Sequence, residues 1–360
     1  MVGIIGAGQL GLMLGNASRQ LGIDCVFLDP SENPPASGVG KIIRANFDDA
    51  QGLAELARTA SVISYEFENV PVEALSKLPE GISVYPPLPA LGIAQDRLSE
   101  KELFAALDIP LPLYLPVDSE QDLRTAMRDI GLPLVLKTRR LGYDGKGQYL
   151  LKSADSVDAA LLALPNRPLI AEQWIAFDRE VSAIGVRAVD GTMLAYPLTE
   201  NRHQDGILQS SRAPAGPGEL QDLANSYLRK LMSHLDYVGV LALELFVVNG
   251  RLLANEFAPR VHNSGHWTIE GAATSQFENH IRAITNMPLG ATNAIAHAGM
   301  INLIGRMPRK HKSLVADGYH LHDYGKEPRS GRKLGHITLL DSDAARRDQR
   351  LQALRSLLME

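Results

Sequence analysis

The most constraining stretch of the sequence consists of two apolar segments, 240–248 and 251–257, joined by an Asn-Gly dipeptide. Asn-Gly between apolar runs is a strong signal for a β-hairpin. Each predicted strand carries one carboxylate, Glu244 in the first and Glu256 in the second. The chain must therefore form an antiparallel pair of strands and accommodate two acids within it.

Two turns are open to this hairpin, and they place the acids differently. A two-residue turn would pair Glu244 with Asn255 and send Glu256 to the other face of the sheet. A three-residue loop over 248–250, with its glycine in a left-handed bulge, would pair Glu244 with Ala254. The carboxylates would then be diagonal neighbours, roughly 7–8 Å apart at their roots, and able to share a cation. We expect this arrangement, because uncompensated acids on a half-buried face are costly; two solvated carboxylates are the alternative.

The segment after the hairpin is dense in polar side chains, including Arg260, His262, Asn263 and His266. This density is atypical of a core sheet, so the hairpin and this segment form the candidate active site.

The net charge is −5, and no basic stripe of the kind that nucleic-acid binding requires is present. A single cysteine, Cys25, allows no disulfide within the chain. We expect a cytoplasmic protein, because no signal peptide and no apolar run long enough to span a membrane are found.

Short apolar segments alternate with helical patterns over residues 2–85, which predicts a doubly wound parallel sheet and an α/β fold class. The first turn, GAGQLG, has glycines at 6, 8 and 11, and Asp29 follows the second predicted strand. This pattern is compatible with a dinucleotide site, with the cradling of a single phosphate, or with tight packing alone. Glu66 lies at the carboxyl end of a later strand, where open α/β sheets bind ligands, although an ordinary strand-to-helix loop is the alternative.

A second glycine-rich segment, KTRRLGYDGKGQ, starts at Lys137 and lies between two predicted antiparallel strands. The backbone N–H groups of such a loop can cover phosphates while a lysine supplies charge. An exposed basic hairpin is the alternative.

Three further segments are candidate ligand sites. A strand over 169–172 runs into Gln173-Trp174-Ile175, whose backbone could contact an adenine edge; an ordinary edge strand is the alternative. His203 lies in the predicted polar loop 201–206, where it is either a turn residue or a ligand. Four cations lie in the segment 325–336, which indicates either an anion pocket or a solvated turn.

Taken together, these motifs resemble the ATP-grasp superfamily, and within it the family of N5-carboxyaminoimidazole ribonucleotide synthases. The resemblance is carried by GAGQLG, YEFENVP, QDRLSEK, KTRRLGYDGKGQ, NRHQDGIL, NEFAPRVHNSGHWT and SGRKLGH, which span nearly the whole chain. One departure is Leu141, where some relatives carry glycine. The resemblance implies a pre-ATP-grasp Rossmann-like domain (1–92), an ATP-grasp domain with α+β character (93–295, lobes about 105–175 and 176–295) and a small β-rich C-terminal domain (296–360).

The resemblance also implies residue roles. ATP contacts are expected from Arg97, Lys137, Gly142, Tyr143, Asp144, Gly145, Lys146, Gly147, Gln148, Glu172, Gln173, Trp174, Ile175, Glu180, His203, Asn255 and Glu256. Mg²⁺, with Mn²⁺ as an alternative, is expected on Glu244 and Glu256. Catalytic roles are implied for Arg260, His262, Asn263, Lys326 and Asp144. The ribonucleotide substrate is expected to contact Gln9, Leu10, Glu66, Tyr143, Asp144, Lys326, Arg332 and Lys333.

The implied activity is the carboxylation of 5-aminoimidazole ribonucleotide with ATP and bicarbonate, through carboxyphosphate, by a homodimer that contacts neither nucleic acid nor membrane. Because carboxyphosphate must be kept from water, we expect the loop 139–148 to close over the site. Another ATP-grasp ligase, such as a formate-dependent glycinamide ribonucleotide transformylase, would share the ATP site and differ in the acceptor pocket. A nicotinamide-dependent oxidoreductase would use the first glycine-rich turn, but it leaves the two hairpin acids unexplained. A catalytically silent nucleotide-binding protein would not need both acids.

Overall fold

A computed structural model describes residues 1–142, 146–164, 168–216, 218–308 and 318–359. Within these ranges the chain forms three sheets, which meet around one cleft. No helix in these ranges is both long and apolar enough to cross a membrane.

The N-terminal sheet has five parallel strands in the order β3-β2-β1-β4-β5. Its strands are β1 (Val2–Ile5), β2 (Cys25–Leu28), β3 (Lys41–Ile43), β4 (Val62–Tyr65) and β5 (Ser83–Val84). Its helices are α1 (Gln9–Gln20), α2 (Ala50–Thr59), α3 (Val72–Leu75) and α4 (Leu88–Ala94). Helix α1 packs with Ile4 on one face and α2 packs with Ile5 on the other, so the predicted doubly wound sheet is confirmed.

The second sheet has four antiparallel strands in the order β6-β9-β7-β8. Its strands are β6 (Tyr114–Val117), β7 (Leu134–Thr138), β8 (Gln148–Leu151) and β9 (Leu169–Gln173). Helices α6 (Glu120–Asp129) and α7 (Val157–Ala163) pack on this sheet, whereas α5 (Arg97–Ala106) packs on the third sheet described below. Buried Leu134 and Leu136 alternate along β7 with Val135 and Lys137, which face the cleft. Strand β9 lies between two others, so it is not the edge strand considered as an alternative above.

The third sheet, which we call the central sheet, has nine strands. Eight follow the order β15-β14-β10-β12-β13-β16-β18-β17, and β11 pairs with β10. These strands are β10 (Arg179–Arg187), β11 (Met193–Ala195), β12 (Thr199–Gln204), β13 (Ile207–Ala213), β14 (Gly239–Val248), β15 (Arg251–Ala258), β16 (His297–Ile304), β17 (Tyr319–Asp323) and β18 (Lys333–Asp341). The helices are α8 (Gly218–His234), α9 (Thr268–Gly271), α10 (Gln276–Ile284) and α11 (Ala344–Met359). The C-terminal strands therefore continue the central sheet by way of the β13–β16 pairing.

The turn of the β14–β15 hairpin differs from the three-residue loop that we expected. Val248 pairs with Arg251, so the connection has two residues. Asn249 has a φ of 49° and Gly250 a φ of 75°, both in the left-handed region. This is the type I′ geometry for which Asn-Gly is suited, because its twist matches that of the strands. The prediction of a three-residue loop is therefore wrong.

The hairpin also contains a β-bulge that neither predicted register included. Leu245 pairs with Ala254, whereas the preceding Glu244 pairs with Glu256, so Asn255 is an extra residue on β15. The extra residue brings both acids to the same face despite the two-residue turn. They are directly opposed rather than diagonal neighbours, and cross-strand pairs of this kind lie about 4.5–5.5 Å apart at Cβ.

Candidate active site

The three sheets enclose a cleft of about 830 Å³. It is lined by most of the residues predicted from the sequence. These are Gln9, Leu10, Glu66, Arg97, Lys137, Gly142, Gln148, Glu172, Gln173, Trp174, Ile175, Glu180, His203, Glu244, Asn255, Glu256, Arg260, His262, Asn263 and Lys333. Residues that are up to 324 positions apart in the chain, Gln9 and Lys333, thus line one cavity.

Some predicted residues stand elsewhere. Lys146, Gly147, Lys326 and Arg332 are described by the structure but do not line the cleft. Tyr143, Asp144 and Gly145 lie outside the described residues, as does part of the loop that we expect to close. Lys326 still approaches the site, because its Nζ donates to the side-chain oxygen of Gln9, which does line the cleft.

The opposed acids of the hairpin are both held as carboxylates. Burial disfavours charge on Glu256, but the Arg97 guanidinium, 2.6 Å from its Oε2, and neighbouring lysines lower its pKa to about 2. Burial also disfavours charge on Glu244, but His262, with Nε2 3.1 Å from Oε1, helps to lower that pKa. Two carboxylates facing each other in a cleft form a pair to which a divalent cation can bind.

A buried cluster of charges lies at the end of β7 and β9. The Oε2 atom of Glu172 is 3.0 Å from the Nζ of Lys137 and 3.3 Å from the Nζ of Lys101. Burial alone would raise the pKa of Glu172, but these two lysines and Arg97 lower it to about 2. Burial lowers the pKa of Lys137, an effect that Glu172 opposes. Lys101 lies in the QDRLSEK motif but is not among the site residues predicted from the sequence.

Helix α5 connects this cluster to the hairpin. Lys101 donates to the backbone oxygen of Asn255, the extra residue of the bulge. The neighbouring Glu100 accepts a hydrogen bond from the amide of Phe257 at 2.6 Å, and burial raises the pKa of Glu100 to about 8. Asp96 caps the helix by accepting from the amide of Leu98 at 3.0 Å. The helix thereby fixes strand β15 and Glu172 relative to each other.

His203 lies on strand β12 rather than in the polar loop that we expected, and the turn follows at Asp205 and Gly206. Its Nδ1 is 2.7 Å from Oε2 of Glu180 on the neighbouring strand β10. Burial disfavours charge on His203, but Glu180 and Glu244 raise its pKa. A cationic histidine is therefore favoured beside the acids of the hairpin.

The segment after the hairpin is ordered by its neighbours. The Nη2 atom of Arg260 is 2.8 Å from Oε1 of Glu68 in the N-terminal domain. Asn263 exchanges hydrogen bonds with Asn302 on β16, at 3.1 and 2.7 Å. Arg260 is therefore held by the N-terminal part of the chain and Asn263 by strand β16. Glu68 is a further contact that was not predicted from the sequence.

The first glycine-rich turn is already occupied by a carboxylate. Glu66 accepts hydrogen bonds from the amides of Gly8 at 2.5 Å and of Gly11 at 2.6 Å. Asp29 accepts from the amide of Ala7 at 2.9 Å. These amides are the groups that would bind a dinucleotide phosphate. The dinucleotide alternative is therefore disfavoured, since the phosphate would have to displace a buried carboxylate.

Three family models match successive parts of the chain. They are the ribonucleotide synthetase preATP-grasp domain over residues 1–95, the ATP-grasp domain over 102–277 and the phosphoribosylaminoimidazole carboxylase C-terminal domain over 298–350. The fold and these matches define an ATP-grasp ligase, preceded by a pre-ATP-grasp domain and followed by a C-terminal domain.

Relatives of known structure and name narrow this class. The N5-carboxyaminoimidazole ribonucleotide synthase of Pseudomonas aeruginosa is 46% identical over 99% of this chain and 99% of that protein. The crystal structure of the synthetase from Thermus thermophilus superposes with a TM-score of 0.95 at 48% identity, covering 100% of this chain and 99% of that one. The Aspergillus clavatus enzyme, solved with ADP and 5-aminoimidazole ribonucleotide, has a TM-score of 0.92 at 30% identity, covering 99% and 98% respectively. The chain belongs to the N5-carboxyaminoimidazole ribonucleotide synthase family.

Proposed function

We propose that this cleft carboxylates the exocyclic amine of 5-aminoimidazole ribonucleotide, using ATP and bicarbonate, in de novo purine biosynthesis. The products are N5-carboxyaminoimidazole ribonucleotide, ADP and phosphate. The observation that carries the proposal is the meeting of an opposed carboxylate pair with Arg97, Lys137 and His203 in one cleft. The chain's membership of the synthase family supports the identity of the acceptor.

ATP lies, in this proposal, between the four-stranded sheet and the β14–β15 hairpin. Lys137, Arg97 and His203 supply positive charge for its phosphates, together with the loop that includes Gly142 and Gln148. The adenine contacts the segment 172–175 at the end of β9. Apolar Val135, Leu150 and Phe246 also line this part of the cleft, and they provide a surface for the base. The remaining proposed ATP contacts are Tyr143, Asp144, Gly145, Lys146, Gly147, Glu180, Asn255 and Glu256.

The donor set fits a divalent cation with carboxylate preference. Glu244 and Glu256 would hold Mg²⁺, or Mn²⁺ in its place, and both are ionised in the fold for the reasons given above. Within the described residues, no group of three or more histidine, cysteine or carboxylate side chains could hold a metal by itself. The two glutamates would therefore share the cation with ATP oxygens. When bound, the cation neutralises charge on the phosphates.

Bicarbonate occupies the segment after the hairpin. Arg260 can bind its oxygens in a bidentate manner, and His262 and Asn263 complete the pocket. In the transfer of the γ-phosphoryl group, a bicarbonate oxygen forms a bond to the γ-phosphorus of ATP while the bond from that phosphorus to the β,γ-bridging oxygen breaks. The products are carboxyphosphate and ADP, which keeps the bridging oxygen. The side chains position the reactants and stabilise charge, and none of them acts as a nucleophile.

The ribonucleotide lies, in this proposal, between the N-terminal domain and the segment that connects β17 to β18. Gln9, Leu10 and Glu66 contact it from one side, with Lys326, Arg332 and Lys333 on the other; Tyr143 and Asp144 are proposed to close over it. Its exocyclic nitrogen attacks the carboxyl carbon delivered by carboxyphosphate, phosphate leaves, and the amine loses a proton. Asp144 is proposed either to accept this proton as a base or only to orient the amine. Exclusion of water protects carboxyphosphate from hydrolysis.

We further propose a cytoplasmic homodimer, three domains with boundaries near residues 92 and 295, and no nucleic-acid or membrane partner. Sedimentation equilibrium of the purified protein tests the oligomeric state. A molecular mass equal to that of one chain across the concentration range would contradict the dimer.

The residue roles are tested by single substitutions at the two ends of the phosphate site. Glu256→Gln and Lys137→Ala are expected to lower the rate of ADP formation by at least about a hundredfold. The first removes a carboxylate ligand of the proposed cation, and the second removes positive charge that stabilises the transferring phosphoryl group. The control is Glu219→Gln on the exposed start of α8, which removes the same carboxylate charge away from the cleft. Turnover of Glu256→Gln or Lys137→Ala at the control rate, with native circular dichroism, would refute these assignments.

A further inference from the structure

A second cavity, of about 550 Å³, lies where helix α11 covers strands β12 and β13. It shares no lining residue with the cleft described above. Its walls carry two carboxylates, Glu200 and Asp348, and three guanidinium groups, Arg202, Arg212 and Arg355. The distribution of partners among these charges decides what the cavity can bind.

Both carboxylates are already engaged by arginines. Glu200 accepts from Arg212 at 2.6 Å and from Arg179 at 3.1 Å. Asp348 accepts from Arg212 at 3.1 Å and from Arg347 at 2.8 Å. Each acid therefore has two guanidinium partners, and neither is available to a further cation without losing one of them.

Arg202 and Arg355 have no hydrogen-bond or ion-pair partner from their side chains among the residues that the structure describes. They are close enough to repel each other: burial lowers the pKa of Arg355, and the charge of Arg202 lowers it further. Two further guanidinium groups do not line the cavity but pair with its two acids. In total, five guanidinium groups therefore accompany two carboxylates, which leaves an excess of three positive charges. The five are Arg179, Arg202, Arg212, Arg347 and Arg355.

We propose that this cavity is a binding site for a small anion bearing a phosphate group. Guanidinium groups bind phosphate oxygens through planar, bidentate hydrogen bonds, and two such groups can share one doubly charged phosphate. The hydroxyl groups of Ser210 and Ser356 and the amide of Gln352 line the same cavity and can donate to the remaining oxygens. A bound phosphate removes the repulsion between Arg202 and Arg355.

Strand β12 runs between the second cavity and the cleft, and consecutive residues of this strand line the two. Arg202 lines the second cavity, whereas the next residue, His203, lines the cleft. The pairing of β12 with β13 shifts register between these two residues, as in a β-bulge. The second cavity is thus separate from the proposed ATP site, and the proposal of a phosphate site does not depend on the proposed function.

The test is isothermal titration calorimetry of the full chain with inorganic phosphate and, separately, with AMP. Saturating Mg-ADP is present throughout, so that the nucleotide cleft is filled. Wild type is expected to bind one phosphate in addition to any ion bound in the cleft, and Arg202→Gln and Arg355→Gln are each expected to weaken that binding at least tenfold. Tighter binding of AMP than of phosphate would identify a nucleotide as the source of the phosphate group, and equal or weaker binding would identify the free ion; both support the site.

The matched control is Arg346→Gln, on the same helix as Arg355. Arg346 is exposed, pairs with Asp341 at 3.1 Å and does not line the cavity, so phosphate binding should be unchanged. Equal affinities for wild type, Arg355→Gln and Arg346→Gln would overturn the proposal. It would also be overturned if wild type bound no phosphate outside the cleft. If Arg355→Gln changed the sedimentation coefficient while wild type bound no such phosphate, the cavity would be a contact between two copies.

Discussion

Lys101 shows how a residue acquires its role from the fold rather than from its neighbours in sequence. Its side chain is 1% exposed, yet its ammonium group lies 3.3 Å from Glu172 and donates to the carbonyl oxygen of Asn255. A lysine in a helical pattern is ordinarily a surface residue. Here the charge is compensated by an acid 71 residues later in the chain, and periodicity alone cannot indicate that partner.

Replacing Lys101 with methionine is expected to destabilise the protein by about 3 kcal/mol, because it leaves a buried carboxylate with one lysine partner fewer. Urea unfolding measures this change, and Lys101→Met combined with Glu172→Gln should recover part of the loss in a double-mutant cycle. Lys77→Met is the control, since Lys77 forms an exposed ion pair with Glu73 at 3.1 Å. Equal urea midpoints for the two lysine variants would contradict the role of Lys101.

The first glycine-rich turn is an element whose residues are fixed by one carboxylate. A Cβ atom at Gly8 would lie 2.5 Å from Oε1 of Glu66, which accepts hydrogen bonds from this turn. The glycine is required for this close approach and not for a positive φ, since Gly8 has a φ of −74°. The motif is thus used to bury an acid where other proteins place a phosphate.

Gly8→Ala is therefore expected to displace Glu66 and to destabilise the protein by about 2 kcal/mol or more, as overpacking of a buried site does. Gly92→Ala is the contrasting substitution, because Gly92 lies in helix α4 with open space around its Cα. There, alanine should be neutral or stabilise by up to about 1 kcal/mol. Thermal unfolding of both variants is the measurement, and a Gly8→Ala protein as stable as wild type would show that the carboxylate does not need this position.

The elements were predictable from sequence to a large extent, whereas the registers that align their side chains were not. The parallel N-terminal sheet, the antiparallel pair around the second glycine-rich loop and the hairpin at Asn249 all follow from local patterns. The bulge at Asn255 does not, because an extra residue is accommodated by contacts from Lys101 on a distant helix. The position of His203 in a strand also does not follow from local patterns, because its partner Glu180 lies on another strand.

At the scale of the whole molecule, His280 joins the N-terminal sheet to the central one. Its Nδ1 accepts from the amide of Val240 at 3.1 Å, so Nε2 carries the proton and donates to the hydroxyl of Ser64 at 2.9 Å. Ser64 belongs to β4 and Val240 to β14. Burial lowers the pKa of His280 to about 3, and the neutral ring is therefore the form that holds the two sheets together.

This histidine predicts a dependence of stability on pH. Its pKa is about 3 in the folded state and about 6.5 when unfolded, so below pH 6.5 the unfolded chain binds the proton first. The free energy of unfolding should then decrease as the pH is lowered from 6.5 to 3. The contribution of His280 to this decrease is up to about 1.4 kcal/mol per pH unit. Chemical unfolding across this range should show a shallower fall for His280→Gln than for wild type. The exposed His234→Gln is expected to match the wild-type slope, and equal slopes for all three proteins would rule out this role.

The cleft exists only because all three sheets contribute to it. Gln9 begins helix α1 and Glu66 directly follows β4 of the N-terminal sheet, Lys137 lies in the four-stranded sheet, and the hairpin acids lie in the central one. The sequence could supply the candidate residues, but their convergence depends on packing between segments that are far apart in the chain. The proposed reaction accordingly requires all three substrates to meet in this cleft.

The most direct test of the proposed function is ADP release from Mg-ATP and bicarbonate, measured with and without 5-aminoimidazole ribonucleotide, beside an NADH absorbance control. We expect the ribonucleotide to stimulate ADP release, an acid-labile carboxylated product to accumulate, and NADH absorbance to stay constant. ADP release that does not respond to the ribonucleotide would contradict the proposed acceptor. Absence of any ATP turnover would contradict the role of the opposed acids in the β14–β15 hairpin.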